Sequence, residues 1–207
     1  MSSRRFPGKV LAPLAGRPVV GWLIERVSEV VDRQRIVLAT STEASDDPLA
    51  TYAASLGVSV FRGELDNVVA RFQACLKVHS TDWFVRICAD SPLLDPALIK
   101  YMASRLDPGL DLVTNVQERT FPRGQSIEFI NARAFSGLDA SALAADEQEH
   151  VTQVFYRNPR RYRIANIAAT DPAWARLSYV VDSIDDLRAV EKVVQSGSLP
   201  TFVPAPV

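Results

Sequence analysis

Residues 2–27 read SSRRFPGKVLAPLAGRPVVGWLIERV, which is a basic loop, then a turn, then a helical pattern. The loop places the cations Arg4, Arg5 and Lys9 around Gly8. Arginine and lysine bind phosphate oxygens, and a glycine lets the backbone approach a ligand closely. The stretch therefore predicts a loop that binds a nucleoside triphosphate, with a solvated basic terminus as the alternative.

Neither common glycine-rich nucleotide motif describes this loop. A P-loop needs GxxxxGK(S/T), whereas Ser3 stands in the place of the first glycine and Val10 follows Lys9. The sequence also has no GxGxxG fingerprint. P-loop and Rossmann dinucleotide sites are thereby excluded.

The composition is that of one soluble domain. With 207 residues, 47% of them hydrophobic and 23% charged, the chain suits a single α/β domain over residues 1–207. A net charge of −1 gives no general attraction for nucleic acid. Cys75 and Cys88 lie in apolar runs, as buried thiols in a reducing cytoplasm do. Because no apolar stretch approaches the ~20 residues of a membrane span, we expect a cytoplasmic protein without a membrane partner.

Helical and strand patterns alternate along the chain. Helices are predicted over residues 18–31, 46–55, 66–78, 95–106, 144–156 and 184–195. Strands are predicted over residues 35–40, 58–61, 83–88, 111–115, 126–130, 161–166 and 177–181, and the proline-rich residues 199–206 are expected to be an extended surface segment. This order predicts an α/β fold with a mostly parallel central sheet and helices on both faces, whose ligand site lies beyond the carboxyl ends of the strands.

Two aspartates follow predicted strands directly. Asp90 comes after residues 83–88 and Asp182 after residues 177–181. Each could be a helix cap or a turn residue, but two carboxylates at one sheet edge also form a Mg²⁺ site, because Mg²⁺ takes one or two carboxylates plus phosphate oxygens. Arg86 lies inside a strand and needs a partner if buried, either Asp90 or a phosphate. Cys88 has no neighbouring group to activate it as a nucleophile.

Further segments follow the opening stretch in an order that resembles a known family. They are VLATS (37–41) with Asp46 and Asp47, VFRG (60–63) before DNV (66–68), VRICADSPLLD (85–95), TFPRG (120–124) through Glu128, EHVT (149–152), and LSYVVD (177–182) before DDL (185–187). The chain resembles the cytidylyltransferase family that contains CMP-sugar synthetases and the spore coat polysaccharide biosynthesis protein F group. The resemblance implies a fold of the nucleotide-diphospho-sugar transferase type.

The resemblance also implies a reaction and its residues. A sugar hydroxyl would attack the α-phosphorus of CTP and expel pyrophosphate, to make a nucleotide-activated, acidic sugar for cell-surface polysaccharide. In that reaction Arg5 and Lys9 would neutralise the triphosphate, Ser3 would orient it, and Asp90 and Asp182 would hold Mg²⁺. The pyrimidine and ribose would rest near Thr40, Ser41, Arg62 and Gly63, unless these are ordinary strand-end turns.

By the same resemblance, Arg123, Glu128 and His150 would meet the acceptor sugar, and the chain would form a homodimer. Here the chain departs from the family pattern. The pattern TYPxGLDVE carries an acid where this chain has Ser126. The departure bears on which acceptor is bound.

The family also has a buried strand ahead of the position of Met1, between the strands that contain Ile36 and Val85. We expect either that the strand is encoded upstream of the assigned start, which is the reading we favour, or that another segment such as the tail fills its place, or that the protein is a degenerate relative. Alternatives to the cytidylyltransferase function are accordingly another nucleotidyltransferase or glycosyltransferase of this fold, or an inactive nucleotide-binding scaffold.

Overall fold

A computed structural model describes residues 5–205 of the chain. The strands of this part are β1 (Pro13–Leu14), β2 (Arg17–Pro18), β3 (Val37–Ser41), β4 (Ser59–Gly63), β5 (Trp83–Arg86), β6 (Leu112–Thr114), β7 (Glu128–Asn131) and β8 (Ile164–Asn166). Its α-helices are α1 (Val19–Ser28), α2 (Asp47–Ser55), α3 (Val68–Val78), α4 (Pro96–Ala103), α5 (Ala132–Ser136), α6 (Ala145–Glu149), α7 (Gln153–Arg157) and α8 (Ile184–Gln195). Short 3₁₀ helices cover Lys9–Leu11, Arg33–Arg35, Ala44–Asp46 and Pro172–Arg176.

The largest sheet has four strands in the order β5-β7-β6-β8. β7 pairs antiparallel with β5 and with β6, while β6 and β8 are parallel. It follows that β5, β6 and β8 point the same way and β7 alone is reversed. The α/β class and the predominance of one strand direction are confirmed.

Helices cover both faces of this sheet because neighbouring residues on each strand point to opposite sides. On β6, Val113 packs in a cluster with residues of α1 and α4, and Leu112 packs in a second cluster with residues of α3, α5 and α7. Phe129 and Ile130 divide in the same way on β7. The predicted two-sided helical cover is confirmed.

β3 and β4 form a separate parallel sheet, so the central sheet is divided, contrary to the single sheet expected. β3 and β5 do not pair with one another among the described residues, and their facing edges border a cavity of about 820 Å³. Val37 and Ala39 line it from β3, and Phe84 and Val85 line it from β5. The division falls where the resemblance places an additional strand.

The carboxyl-terminal tail does not occupy that cavity. Phe202 is buried against the rings of Trp174 and Tyr179, and its N–H donates to the Asp95 carboxylate at 2.9 Å. The tail is extended, as predicted, but it is anchored in the core at Phe202 and is not wholly a surface segment. The alternative that the tail replaces a strand is therefore wrong for the described residues.

Two predicted elements differ from the structure. Residues 177–181 form only an isolated bridge, between Ser178 and Arg123, because that segment lies along an irregular loop and not along a strand. Residues 144–156 form two helices, α6 and α7, separated at residues 150–152. His150 ends α6 with a last helical bond from its N–H to the Asp146 carbonyl, and its own carbonyl accepts from the Gln153 N–H three residues on, which is a turn and not a helical bond.

Candidate active site

Lys9 lies between the two aspartates that follow the predicted strands. Its Nζ donates to Asp90 Oδ2 at 2.6 Å and to Asp182 Oδ1 at 2.6 Å. Gly8, with φ of 71°, turns the chain into the 3₁₀ helix that begins at Lys9. The next two residues, Val10 and Leu11, pack against the apolar cluster beside β3 and fix the direction of the loop.

The two aspartates come from loops that are bonded to each other. The Val181 N–H donates to the Asp90 carbonyl at 2.9 Å. Asp182 stands just before α8, where its own N–H donates to the Asp186 carboxylate and Ser183 caps the helix. Backbone bonds thus hold both carboxylates at the same edge of the molecule.

Two arginines complete the charge cluster on its solvent side. Asp182 Oδ2 accepts from Arg5 Nη2 at 2.9 Å and from Arg123 Nη2 at 3.2 Å. The two side chains are 71% and 58% exposed, so both are free to turn toward a ligand. We call Arg5, Lys9, Asp90, Arg123 and Asp182 the charge cluster.

Hydrogen bonds within the cluster favour the charged forms of Lys9 and Asp182. Burial acts to lower the pKa of Lys9, but hydrogen bonds to Asp182 and Asp90 outweigh it and raise that pKa above its ordinary value. The hydrogen bond from Lys9 in turn lowers the pKa of Asp182, with further help from the charges of Arg5 and Arg123. Three cations against two carboxylates leave a surplus positive charge that suits a polyphosphate.

The loop that carries Arg123 is fixed by buried polar groups. Gln125 is fully buried and bonds to the Asp95 N–H and the Leu93 carbonyl. Gly124 has φ of 93°, and a Cβ there would lie 2.8 Å from the carbonyl carbon of Tyr179. The close approach lets the Arg123 backbone bond on both sides of Ser178, which brings Arg123 and Asp182 together.

The structure does not present Thr40 and Ser41 to a base. Both are buried, and both hydroxyls donate to Asp46 Oδ2 at 2.6 Å. The strand-end turn alternative therefore describes these side chains. The two hydroxyls bond in this way because the 3₁₀ helix Ala44–Asp46 brings the Asp46 carboxylate back to the end of β3.

Arg62 and Gly63 also serve the local fold. Arg62 donates to the Ser41 and Glu43 carbonyls and to the Asp47 carboxylate, which joins the ends of β3 and β4. The Gly63 carbonyl accepts from the Thr42 N–H at 3.1 Å. The two residues define the edge of the site and take no part in the charge cluster.

Glu128 lies in a buried network with Arg86. It is 2% exposed, and its carboxylate accepts from Arg86 Nη1 at 2.9 Å, from Thr152 Oγ1 at 2.7 Å and from the Tyr156 hydroxyl at 2.6 Å. The partner of Arg86 is therefore Glu128 and not Asp90, while the alternative of a phosphate stays a prediction. Burial and the Glu128 charge raise the pKa of Tyr156, so its hydroxyl stays protonated as a donor.

Two predicted site residues, His150 and Ser3, are not among the side chains that the described contacts join to the charge cluster. His150 is exposed at the end of α6, and Ser3 lies outside the described residues. Burial raises the pKa of the Cys88 thiol, which agrees with its expected lack of nucleophilic character. In residues 5–205 no three His, Cys, Asp or Glu side chains converge on one point, so Asp90 and Asp182 are a pair of carboxylates without a third.

Sequence reasoning missed Arg119, Thr152 and Tyr156. Thr152 and Tyr156 complete the Glu128 network, and Arg119 lies near Glu128 and Arg123. Thr152 precedes α7 and Tyr156 lies four residues later on it, so their spacing relates these two, but the sequence gives no sign that Arg119, in a distant loop, lies near them. Of the three, only Tyr156 had a signal in the sequence, because it places a hydroxyl on an otherwise apolar helical face.

The family model for cytidylyltransferase matches residues 1–195. The chain belongs to the cytidylyltransferase family. This family membership identifies the protein as a nucleotidyltransferase. The spore coat polysaccharide biosynthesis protein SpsF of Bacillus subtilis is 30% identical over 206 residues, covering 95% of this chain and 84% of the relative.

Solved structures agree with the family. A cytidylyltransferase from Leptospira borgpetersenii superposes with a TM-score of 0.90 at 26% identity, over 95% of this chain and 83% of that one. A CMP:2-keto-3-deoxy-manno-octonic acid synthetase complexed with CTP superposes with a TM-score of 0.70 at 15% identity, over 95% of both chains. The fold expected from the resemblance is confirmed. Within the described residues, no helix is long and apolar enough to cross a membrane.

Proposed function

We propose that this cytidylyltransferase-family chain transfers CMP from CTP to a hydroxyl of an acidic sugar, in the cytoplasm, for cell-surface polysaccharide. The hydroxyl oxygen forms a bond to the α-phosphorus, the bond between the α- and β-phosphates breaks, and pyrophosphate and the hydroxyl proton leave. The proposal is carried by the position of Lys9 in the basic loop. Its Nζ lies 2.6 Å from Asp90 Oδ2 and 2.6 Å from Asp182 Oδ1. The names of the SpsF and CMP-sugar synthetase relatives supply the sugar and polysaccharide part.

Within the charge cluster, the carboxylates would bind a metal ion and the cations would bind phosphates. Asp90 and Asp182 would hold Mg²⁺, since both carboxylates already reach a single cationic group, the Lys9 ammonium, and Mg²⁺ prefers such oxygen ligands. When bound, the ion would neutralise phosphate charge. Lys9 and Arg5 would then donate to phosphate oxygens, which stabilises the charge that develops as pyrophosphate departs.

The base and the acceptor would lie on either side of the cluster. With the Thr40 and Ser41 hydroxyls bound to Asp46, the pyrimidine would meet the end of β3 through backbone groups, with Arg62 and Gly63 at its border. Arg123, which donates to Asp182, would meet the acceptor sugar, as would Glu128 and His150. Glu128 would act there through Arg86 and Tyr156, which it positions. A homodimer and a role for Ser3 stay predictions.

Pyrophosphate release tests the proposal. The purified chain is supplied with Mg²⁺, each of CTP, UTP, ATP and GTP, and a panel of sugar acids and neutral sugars. We expect release with CTP and a sugar acid, and a loss of about 100-fold or more in Asp90→Asn, the size typical when one charge-stabilising group is removed. Asp185→Asn, an exposed change on α8, is the matched control.

Other outcomes separate the alternatives. Release with a different triphosphate would assign another nucleotidyltransferase activity. A rise in the melting temperature with CTP and Mg²⁺ but no pyrophosphate release with any sugar would favour the inactive nucleotide-binding scaffold, since a ligand at 100 times its dissociation constant stabilises by about 2.7 kcal/mol.

A further inference from the structure

The carboxyl-terminal tail is anchored beside the loops that carry the charge cluster. The Phe202 ring is buried, and its centroid lies 5.3 Å from that of Trp174 and 6.2 Å from that of Tyr179. The residues after it are bonded through their backbone to the segment that follows β8. We call residues 202–205 the strap.

The strap completes the hydrogen bonding of a buried carboxylate. Asp95 is 2% exposed, and its Oδ1 accepts from the Ala97 N–H at 2.9 Å, which caps α4. Its Oδ2 accepts from the Phe202 N–H at 2.9 Å, the one donor to that oxygen within residues 5–205. Without the strap, a carboxylate oxygen of a buried residue would lose its partner, which costs more than the bond itself contributes.

Asp95 also connects two loops of the candidate active site. It lies in the loop that begins at Asp90, and its N–H donates to Gln125 Oε1 at 2.8 Å. Gln125 follows closely after Arg123, and its Nε2 donates to the Leu93 carbonyl at 2.7 Å. The loop of Asp90 and the loop of Arg123 are therefore bonded to each other at the point where the strap is anchored.

The third loop of the site, which carries Asp182, contacts the strap through aromatic packing. Tyr179 packs against the buried ring of the strap, and its N–H donates to the Arg123 carbonyl at 2.8 Å. The Val181 N–H donates to the Asp90 carbonyl at 2.9 Å. Three segments that are distant in the sequence thus meet around one side chain of the strap.

We propose that the strap positions the charge cluster for nucleotidyl transfer and that Phe202 is the positioning residue that anchors it. Phe202 acts through Asp95 and Tyr179, and so sets the relative positions of the two aspartates and the arginine of the cluster. The basic loop packs instead against the cluster beside β3, and it does not depend on the strap. The family model ends at residue 195, so the strap lies beyond the part of the chain that the model matches. The inference rests on the proposed function for the reaction that is measured.

Kinetics of point variants test the proposal. Phe202→Ala, Phe202→Leu and Val203→Ala, an exposed neighbour, are compared with wild type for kcat of pyrophosphate release and KM of CTP, well below the melting temperature of each. In Phe202→Ala we expect kcat to fall about 10-fold or more, because small misplacements around the reacting atoms are costly. The KM of CTP should change less than about 2-fold, because the basic loop still binds the phosphates. Phe202→Leu should keep most of kcat, and Val203→Ala should change neither constant.

A purely structural Phe202 would give a different result. Phe202→Ala would then have a lower melting temperature but the kcat of wild type, and this outcome would overturn the proposal. An equal loss of kcat in Val203→Ala would also overturn it, as would a higher KM of CTP with kcat unchanged. Should Phe202→Ala not fold, Phe202→Val carries the same test, because it removes the ring and keeps a smaller apolar group.

Hydrogen exchange keeps the test separate from catalysis. If wild type releases no pyrophosphate with any triphosphate and sugar, the proposed function fails, and the exchange of the Tyr179 and Val181 amides still reports on the strap. In Phe202→Ala we expect these two amides, which bond between the loops, to exchange about 10-fold faster or more. The Thr42 amide, which joins the ends of β3 and β4, should keep its rate. Equal acceleration at all three amides would indicate a general loss of stability and overturn the proposal, as would unchanged rates at Tyr179 and Val181.

Discussion

At the scale of single residues, Lys9 keeps two carboxylates together that would otherwise repel each other. Asp90 and Asp182 are 20% and 16% exposed, so their charges are only partly screened by solvent. In the folded protein the hydrogen bond from Lys9 lowers the pKa of Asp182. Folding stability is therefore linked to the ionisation of this side chain.

The linkage predicts a pH dependence for Asp182→Asn. A carboxyl whose folded pKa is below its unfolded value of about 3.9 contributes stability above that pH and loses it as the pH falls through the folded pKa. We expect wild type to be more stable than Asp182→Asn at pH 7 and pH 5, with the difference shrinking below about pH 4. Urea unfolding at pH 7, 5, 4 and 3 measures it. Asp185→Asn should show no such trend, and a difference that persists unchanged at pH 3 would contradict the linkage.

Gly124 predicts a second effect at this scale. Gly124→Ala would force an L-residue to φ of 93° and drive its Cβ to within 2.8 Å of the Tyr179 carbonyl carbon, which is backbone and cannot rotate away. We expect a loss of more than the ~1–3 kcal/mol of backbone strain alone, together with reduced pyrophosphate release, because the segment leading to Asp182 must shift.

Gly197→Ala is the matched control for Gly124→Ala. Gly197 has φ of 72°, but nothing lies within 4 Å of its added Cβ. Equal losses of stability in the two variants, measured by urea unfolding, would show that the close approach of the two loops is unimportant.

The residues that sequence could identify are those whose position follows from topology. Asp90 and Asp182 were predicted to be neighbours as two strand-end residues, but only Asp90 follows a strand, β5, whereas Asp182 follows an irregular segment that the bond from the Val181 N–H to the Asp90 carbonyl holds in place. The hydrogen bonds of Thr40 and Ser41 could not be predicted. Their acceptor, Asp46, lies on a 3₁₀ turn, and the sequence pattern does not indicate the direction of such a turn. Arg119 was missed because burial of a loop residue depends on distant segments.

At the scale of elements, β5 and β7 are joined by a charged pair. Arg86 and Glu128 face each other in the antiparallel register, and the ion pair lies across the two strands. Thr152 and Tyr156 connect the same carboxylate to the segment around α7. One carboxylate thus links the sheet to the helical layer behind the charge cluster.

This network predicts coupling between Arg86 and Glu128. Glu128→Gln should destabilise the protein by about 1.5–3 kcal/mol, the range for hydrogen bonds to charged groups, because the Arg86 cation loses its acceptor. Arg86→Met leaves a carboxylate that is 2% exposed without its countercharge. The double variant should be more stable than the sum of the single losses implies, by about 1–3 kcal/mol.

Urea unfolding of the four proteins in the cycle measures that coupling. The exposed pair Arg188 and Asp185 on α8 provides a control cycle, in which we expect less than about 0.5 kcal/mol. Additive losses at Arg86 and Glu128 would show that the pair does not hold β5 to β7.

Helices and strands were predicted correctly where the hydrophobic periodicity was strong. The predictions were wrong where tertiary contacts determined the local conformation. α8 has the bounds predicted, because Ser183 caps it and Asp185 and Asp186 follow in its first turn. Residues 177–181 have a strand's composition, yet only Ser178 makes a bridge. Tyr179 packs against Phe202 and Val181 is buried in another cluster, while Leu177 is exposed, so alternate residues are buried as in a strand without strand pairing.

At the scale of the whole molecule, the edges of β3 and β5 border one cavity and do not pair with each other among the described residues. The residues that precede the two strands, 32–35 and 80–82, line the same end of the cavity, so the strands run in the same direction. The carboxyl end of β5 leads to Asp90 in the charge cluster, where Arg5 also lies. An inserted strand parallel to both would therefore run directly into the basic loop.

The cavity predicts that an added strand stabilises the protein. An extension of about five alternating β-branched residues, joined ahead of residue 1, would pair with β3 on one side and β5 on the other and bury its apolar side chains against Phe84 and Ile99. Each hydrogen bond contributes about 0.5–1.5 kcal/mol and each buried valine about 1.5–3, against about 1–2 per residue for lost backbone freedom. We expect a net gain of about 1–3 kcal/mol in urea unfolding, and protection of the extension from proteolysis. The same extension with proline at alternate positions is the control, because proline cannot donate to the neighbouring strands. An extension that stays as sensitive to protease as the proline control would mean that the two edges do not accept a strand.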